Sequence, residues 1–221
     1  MHTVSDPKKL KDRILAVLFP QRCLFCRSII PAGSDYCEAC AKKLPEVVYH
    51  KYAVGGVQCC SPLLYKDEYA AAVKRMKYGG KKDYARPLAL LAAGAAARLY
   101  DLSSFDLVTC VPMHRSSLRR RHFNQAEELA KEFCSFTELK YVNTLEKYKH
   151  NRPQHSMRRS ERASNVKGVF RILEKSLVRG KKVLLVDDII TTGNTLGECA
   201  RILKKAGCSD VSCVTVCCTE M

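Results

Sequence analysis

Residues 183–196 read Val-Leu-Leu-Val-Asp-Asp-Ile-Ile-Thr-Thr-Gly-Asn-Thr-Leu. Val183 to Val186 form an apolar run between Lys181-Lys182 and the acids Asp187-Asp188, the pattern of a buried parallel strand. The two acids are placed at its C-terminal end. Thr191, Thr192, Gly193, Asn194 and Thr195 make a small hydroxyl-rich loop. Leu196, Cys199, Ile202 and Leu203 then recur at helical spacing, so a helix starts after Thr195. A strand, such a loop and a helix N-terminus form a phosphate-binding arrangement, because N–H groups, hydroxyls and the helix dipole all favour an anion. Carboxylates beside a phosphate cradle call for a ligand with hydroxyls, or bound Mg²⁺, as well as phosphate. The plainer alternative is a strand-to-helix turn whose Asp and Thr residues only cap a helix.

The rest of the chain bounds this reading. With 221 residues it fits one or two domains with a proper core. A hydrophobic fraction of 47% with 27% charged residues is a soluble globular composition. The 38 Lys and Arg against 22 Asp and Glu leave a net charge of +16, which suits phosphorylated ligands or nucleic acid, or is simply a solvated basic surface. No secretory apolar core opens the chain, and Leu88 to Ala97 is too short to span a bilayer. The 13 cysteines are therefore expected to be reduced, in the cytoplasm, and their odd number argues against a full disulfide framework.

Toward the N-terminus, Leu10, Ile14, Leu15, Val17 and Leu18 suggest a short helix ending at Pro20. Cys23-x₂-Cys26, ten residues, and Cys37-x₂-Cys40 then follow. Two such knuckles suit tetrahedral Zn²⁺ with four thiolates, a structural rather than catalytic site because no coordination position stays open. Pro31 to Ser34 supplies the hairpin between them. Cys59-Cys60 lack this spacing and read as small core residues in a strand. Residues 1–48 are thus expected to form a helix and zinc module, and 49–221 an α/β domain.

In that second region, Val54 to Tyr65 reads as strand and turn, Tyr69 to Tyr78 as a helix stopped by Gly79-Gly80, and Ala85 to Tyr100 as a second helix. The basic run Lys74 to Lys82 ends a helix, where cations suit the dipole, and Lys77 is singled out from it for a functional role. Leu107 to Val111 is a buried strand. Beyond Pro112-Met113-His114, a loop carries Arg115, Arg119, Arg120, Arg121 and two serines, followed by His122, Asn124, Gln125 and an amphipathic helix from Ala126 to Phe133. Arginines in a loop at a strand's C-terminal end fit an anion with several charges, or a surface charge run. Lys149 to Lys167 is polar and basic, the profile of a mobile loop at about 149–167. Strands near 107–111, 168–172, 183–186 and 211–216 alternate with helices, which argues for an α/β fold with a mainly parallel sheet flanked by helices.

Asp-Asp-Ile-Ile-Thr-Thr-Gly-Asn-Thr resembles the motif of type I phosphoribosyltransferases that binds 5-phosphoribosyl diphosphate (PRPP). Val-Pro-Met-His at 111–114 and Arg-His-Phe-Asn-Gln-Ala at 121–126, with the four-cysteine module, narrow the resemblance to the ComF family (ComFC/GntX-type). Gln154, Met157, Arg162, Asn165, Gly168 and Phe170 follow that family's further pattern. This chain has Arg115 after the histidine where Pro is usual, Asn151 where Thr is common, and His122 where Gly is usual. A glycine there matters if the backbone takes positive φ or lies close to diphosphate.

The resemblance implies a type I phosphoribosyltransferase-like domain that binds PRPP with Mg²⁺ and transfers phosphoribosyl to a nitrogen acceptor. Asp187 and Asp188 would hold the ribose hydroxyls, and Thr191, Thr192, Gly193, Asn194 and Thr195 the 5-phosphate. His114, Arg115, Arg119, Asn124, Gln125 and Lys77 would complete the PRPP site. Arg121 and Arg162 join the two acids as expected catalytic residues, with Arg158 and Arg159 also facing the leaving diphosphate, and His155 reads as an exposed loop residue. The resemblance equally implies a competence role: binding single-stranded DNA during uptake, beside a helicase-like partner, with Tyr78, Phe123 and Tyr148 as candidate stacking aromatics. A PRPP sensor without turnover is the third reading.

Overall fold

A computed structural model describes residues 18, 20–149 and 166–220. The chain divides into two compact units, 1–44 and 45–221. The expected helix at 10–18 lies almost entirely outside the described residues.

In the first unit the thiols of Cys23, Cys26, Cys37 and Cys40 converge, with their ligand atoms all within 4.8 Å of one another. Cys23 N–H donates to Ser28 O at 2.8 Å and Arg27 N–H to Cys23 O at 3.1 Å, closing the first knuckle around Arg27, whose φ is +70°. The hairpin is tied by the Gln21 side chain, which donates to Ser34 O at 2.6 Å and accepts from Gly33 N–H at 2.9 Å. A short helix α1 (Glu38–Ala41) carries Cys40.

The second unit is a six-stranded sheet in the order β1 (Tyr49–Ala53), β2 (Val57–Ser61), β8 (Asp210–Cys218), β7 (Lys182–Ile190), β4 (Leu107–Cys110), with β3 (Leu63–Leu64) also on β8. All its pairings are parallel except β1 with β2, a hairpin turning at Gly55-Gly56. The sheet's interior is the apolar run read from the sequence: Val183, Leu184 and Leu185 are wholly buried, as are Cys59, Cys60 and Cys213. Helix α2 (Asp67–Tyr78) precedes α3 (Ala85–Leu99). The buried face of α3 is Leu88 with Ala85, Ala89, Ala92, Ala93, Ala95 and Ala96, small side chains that permit close approach to the sheet and to α5 (Gln125–Thr137). Helix α6 (Asn194–Lys205) packs on β1, β7 and β8. No described helix is long and apolar enough to cross a membrane.

Three sequence expectations change. The central strand continues through Asp187 and Asp188 to Ile190, because β8 pairs with it as far as Ile190↔Cys218. The acids therefore sit within the strand, not at its end. The strand expected at 168–172 is β6 (Phe170–Ile172), and it leaves the parallel sheet to pair antiparallel with β5 (Leu145–Lys147). The arginine run expected as a loop is a helix, α4 (Arg115–Arg121). His114 caps it by accepting Ser116 N–H on Nδ1 at 3.2 Å, which makes a polar segment helical without an apolar stripe.

Candidate functional site

Because β7 runs on past its apolar core, its acids open into a cavity of about 350 Å³. Tyr65, Lys77, Tyr78 and every residue from Asp187 to Leu196 line it. Asp188 is 7% exposed and accepts from Lys77 Nζ at 2.7 Å. Burial pulls the Lys77 ammonium down, but the Asp188 carboxylate and its hydrogen bond outweigh that and hold it above its ordinary pKa. Asp187 Oδ1 accepts from Asp188 N–H at 2.9 Å. Burial first, and the neighbouring Asp188 charge second, push the Asp187 carboxyl up to about 8.

The loop after the acids is shaped by a close approach. Gly193 has φ +73°, and a Cβ on it would lie 2.6 Å from Ala53 Cα. Gly197, one helical turn on, would place a Cβ 2.3 Å from Val54 O. Val54 N–H also donates to Gly193 O at 3.3 Å. The β1–β2 turn therefore buttresses the loop and the first turn of α6. The N-cap residue of that helix, Gly193, has no side chain to cap it and the first turn holds no acid, while Asn194 Nδ2 donates to Thr192 Oγ1 at 2.8 Å. The helix N-terminus thus presents positive dipole to the cavity wall formed by Thr191 to Thr195.

The arginines divide. The Arg121 guanidinium lies 4.8 Å from the Tyr78 ring centroid, and its buried Nε has no hydrogen-bond partner among the described residues. Arg115 turns away to Glu146 Oε1 at 3.3 Å, a carboxylate also held by Arg171 at 2.7 Å. Arg119 is exposed. Asn124 caps α5, accepting Ala126 N–H at 3.2 Å and donating to Val111 O at 3.1 Å, while Gln125 is 3% exposed with its Oε1 unpartnered among the described residues. Arg115 and Asn124 line a second cavity of about 240 Å³, with Glu127, Asn143, Glu146 and Lys147. Of the sequence-predicted residues, the structure brings Lys77, the two acids and the threonine loop into one cavity. His114, Arg119, Arg121 and Gln125 line neither cavity. Asn151, Gln154, His155, Met157, Arg158, Arg159, Arg162 and Asn165 lie outside the described residues.

Position 122 is informative. His122 has φ +66° at the C-terminus of α4, the left-handed conformation that glycine takes most easily. Two residues escaped sequence reasoning. Tyr65 reaches the first cavity because β3 pairs with β8, a long-range pairing with no local signal. Lys147, on β5, lies within electrostatic reach of Asp187, and burial holds its ammonium below the ordinary lysine range.

The four thiols fit zinc by their chemistry and spacing. Cys26 Sγ and Cys37 Sγ are 3.6 Å apart, close to the roughly 3.8 Å edge of a tetrahedron with ~2.3 Å zinc–sulfur bonds.

Comparison with known proteins matches residues 92–220 to the phosphoribosyl transferase domain and residues 14–69 to the double zinc ribbon domain. The chain is 27% identical over 194 residues to competence protein F of Haemophilus influenzae, covering 86% of this chain and 81% of that protein. It is 36% identical over 101 residues to competence protein ComFC of Streptococcus pneumoniae, covering 46% of this chain and 43% of that one. DNA utilization protein YhgH of Escherichia coli strain K12 is 26% identical over 157 residues, covering 69% and 68%. Among solved structures, adenine phosphoribosyltransferase from Thermoanaerobacter pseudethanolicus aligns with a TM-score of 0.40 and 11% identity, over 80% of this chain and 99% of that one. An allosteric regulatory enzyme of purine biosynthesis aligns with a TM-score of 0.38 and 22% identity over 59% of this chain, which spans only 26% of that enzyme's length.

Proposed function

We propose that this chain, which belongs to the phosphoribosyl transferase domain family, binds the Mg²⁺ complex of PRPP. It is a ComF-type member with an N-terminal zinc ribbon. The observation that carries the reading is the single cavity shared by Asp187, Asp188, the Thr191–Thr195 loop and Lys77, which is distant from them in sequence. The 5-phosphate sits on the loop, where N–H groups and the α6 dipole meet it. The ribose hydroxyls sit on the acids. Asp187, whose carboxyl burial and the Asp188 charge push up to about 8 in the empty site, can offer a hydroxyl a donor as well as an acceptor. Asp188 is already paired, so Lys77 keeps that carboxylate from repelling the phosphates.

The reaction is phosphoribosyl transfer to a nitrogen acceptor. The C1–O bond breaks and diphosphate leaves with the electron pair. The acceptor nitrogen's lone pair forms the C1–N bond, and the proton it sheds passes to solvent. Charge grows on the departing diphosphate, so arginines, Arg121 and Arg162 among them, lower the barrier; Mg²⁺, when bound with PRPP, adds charge neutralisation. Cys23, Cys26, Cys37 and Cys40 hold Zn²⁺ as a structural centre. Isothermal titration of zinc-loaded protein with Mg²⁺ and PRPP tests binding, and absence of heat at high concentration rejects it. A nucleobase screen reading diphosphate release tests turnover; binding without turnover on any base favours a PRPP sensor.

A second reading is supported by the names of the relatives, competence and DNA utilization proteins, and by the +16 charge. In it the chain binds single-stranded DNA during uptake, beside a helicase-like partner. Gel shifts across salt concentrations test this, since phosphate contacts weaken steeply with salt. No affinity at low salt removes it.

A further inference from the structure

Gly197, Arg201 and Lys204 recur at i, i+4 and i+7 along α6, so they share one side of the helix. Gly197 lets the β1–β2 turn lie against that side, and the two cations follow it toward the helix C-terminus. A third cavity, of about 330 Å³, opens there. Its floor is aliphatic: Val54, Val57 and Val166, with Gly197 between them and the helix. Val54 is 54% exposed, so it still has apolar surface to cover.

The charges of this cavity are uneven. Lys167 joins Arg201 and Lys204 in the lining, and Glu198 is its one carboxylate among the described residues. Glu198 is 8% exposed and already held. Its Oε1 accepts from Gly168 N–H at 2.8 Å, and its two oxygens accept from the Arg201 guanidinium at 2.8 and 2.9 Å. That interaction commits Arg201 as well. Lys204 has a long pairing, 3.8 Å to Asp210, and the exposed Lys167 makes no ion pair among the described residues. The result is a valine floor with two ammonium groups at its margin. Sites for small ligands have this make-up, a mostly apolar lining with a few charged groups converging on it.

We propose that this cavity is a second ligand site, for a small organic anion. A compact apolar body covers the valines, and one anionic head, a carboxylate or a phosphate ester, sits between Lys167 and Lys204. Burial of the valines and charge-assisted hydrogen bonds from the lysines then act on one molecule. An inorganic anion leaves the valines uncovered, and a neutral hydrocarbon leaves the lysines unpaired, so the ligand class needs both parts. The site goes beyond the PRPP reading and does not rest on it: of its lining, Asn194 alone also lines the cavity of the acids.

The probe is anilinonaphthalene sulfonate, an apolar body with one anionic group, whose fluorescence rises in an apolar site. Titration of the zinc-loaded full chain is expected to saturate at one equivalent. Two comparisons are expected to show about ten-fold weaker binding. One is the neutral analogue phenylnaphthylamine on the parent. The other is the sulfonate on the double variant Lys167→Glu with Lys204→Gln. Val54→Asp, which puts a carboxylate on the floor, should weaken the sulfonate likewise, and it decides the matter if the lysine variant does not melt like the parent. Competition by hexanoate and by hexyl phosphate names the head from the stronger displacer. Absence of saturable binding overturns the site, as does unchanged affinity in the folded variants. Equal affinity for the neutral analogue, or displacement by neither competitor, overturns the ligand class.

Discussion

Lys77 and Asp188 form a salt bridge of 2.7 Å between the last turn of α2 and the central strand, with side chains only 18% and 10% exposed. Neither charge has much water to fall back on. The pair ties the last turn of α2 to the second acid of the central strand.

Lys77→Met should therefore destabilise the protein by about 3 kcal/mol, because it leaves Asp188 charged and unpaired with its side chain only 10% exposed. Urea denaturation measures the loss. The double variant Lys77→Met with Asp188→Asn should recover part of it, and unchanged stability in the single variant contradicts the pairing.

The Asp187 carboxyl gives a pH signature. Its pKa is raised to about 8 in the folded chain against 3.8 as the ordinary value, so folding takes up a proton between those limits. Stability attributable to this group is full below about pH 4 and falls as pH rises toward 8. Asp187→Asn should flatten that slope and melt a few degrees above the parent at pH 8. Melting temperatures across pH 5 to 9 read the difference.

Gly197→Ala should cost about 1–3 kcal/mol, because the new Cβ would sit 2.3 Å from the Val54 carbonyl oxygen, a backbone atom that cannot swing aside. The damage falls on the threonine loop, so PRPP affinity by titration should drop further than stability alone explains.

His122→Gly should stabilise the fold by about 0.5–1 kcal/mol, since a left-handed φ of +66° strains a residue with a Cβ. Chemical denaturation checks the gain. A loss instead would show that the imidazole makes a contact worth more than the strain.

Removing zinc should unfold the first unit, whose thiols converge while its described apolar core is only Leu24, Phe25 and Ile30 with Cys23 and Cys40. Metal analysis should find zinc in the parent and little in Cys37→Ser. Proteolysis should cut within residues 21–44 much faster in the chelated protein than in the zinc-loaded one. Resistance of that segment to cleavage without metal argues against a structural centre.

Local chemistry was legible and long-range placement was not. The buried run Val183–Val186, the threonine loop and the start of α6 follow from short-range pattern, since apolar run length, loop chemistry and helical period all report on neighbours in the chain. The length of β7 did not follow, because Asp187 and Asp188 are poor strand formers held in place by pairing with Thr215 and beyond on β8. Alternation could mark 168–172 as extended but could not say that Leu145, not a core strand, would pair with Ile172. The arginine run looked like a loop because its helix, capped by His114, buries no residue fully.

By itself the sequence determined the threonine loop after a buried strand, the four-thiol cluster and an α/β class, for these rest on residues a few positions apart. Only the tertiary structure decided that Lys77 neutralises Asp188, that Arg121 goes to Tyr78 while Arg115 goes to Glu146, and that Tyr65 enters the cavity. Each of those contacts joins residues far apart in the chain. Which partner a charge or ring meets is fixed by how the helices and the β5–β6 hairpin pack around the sheet, and no local pattern encodes that.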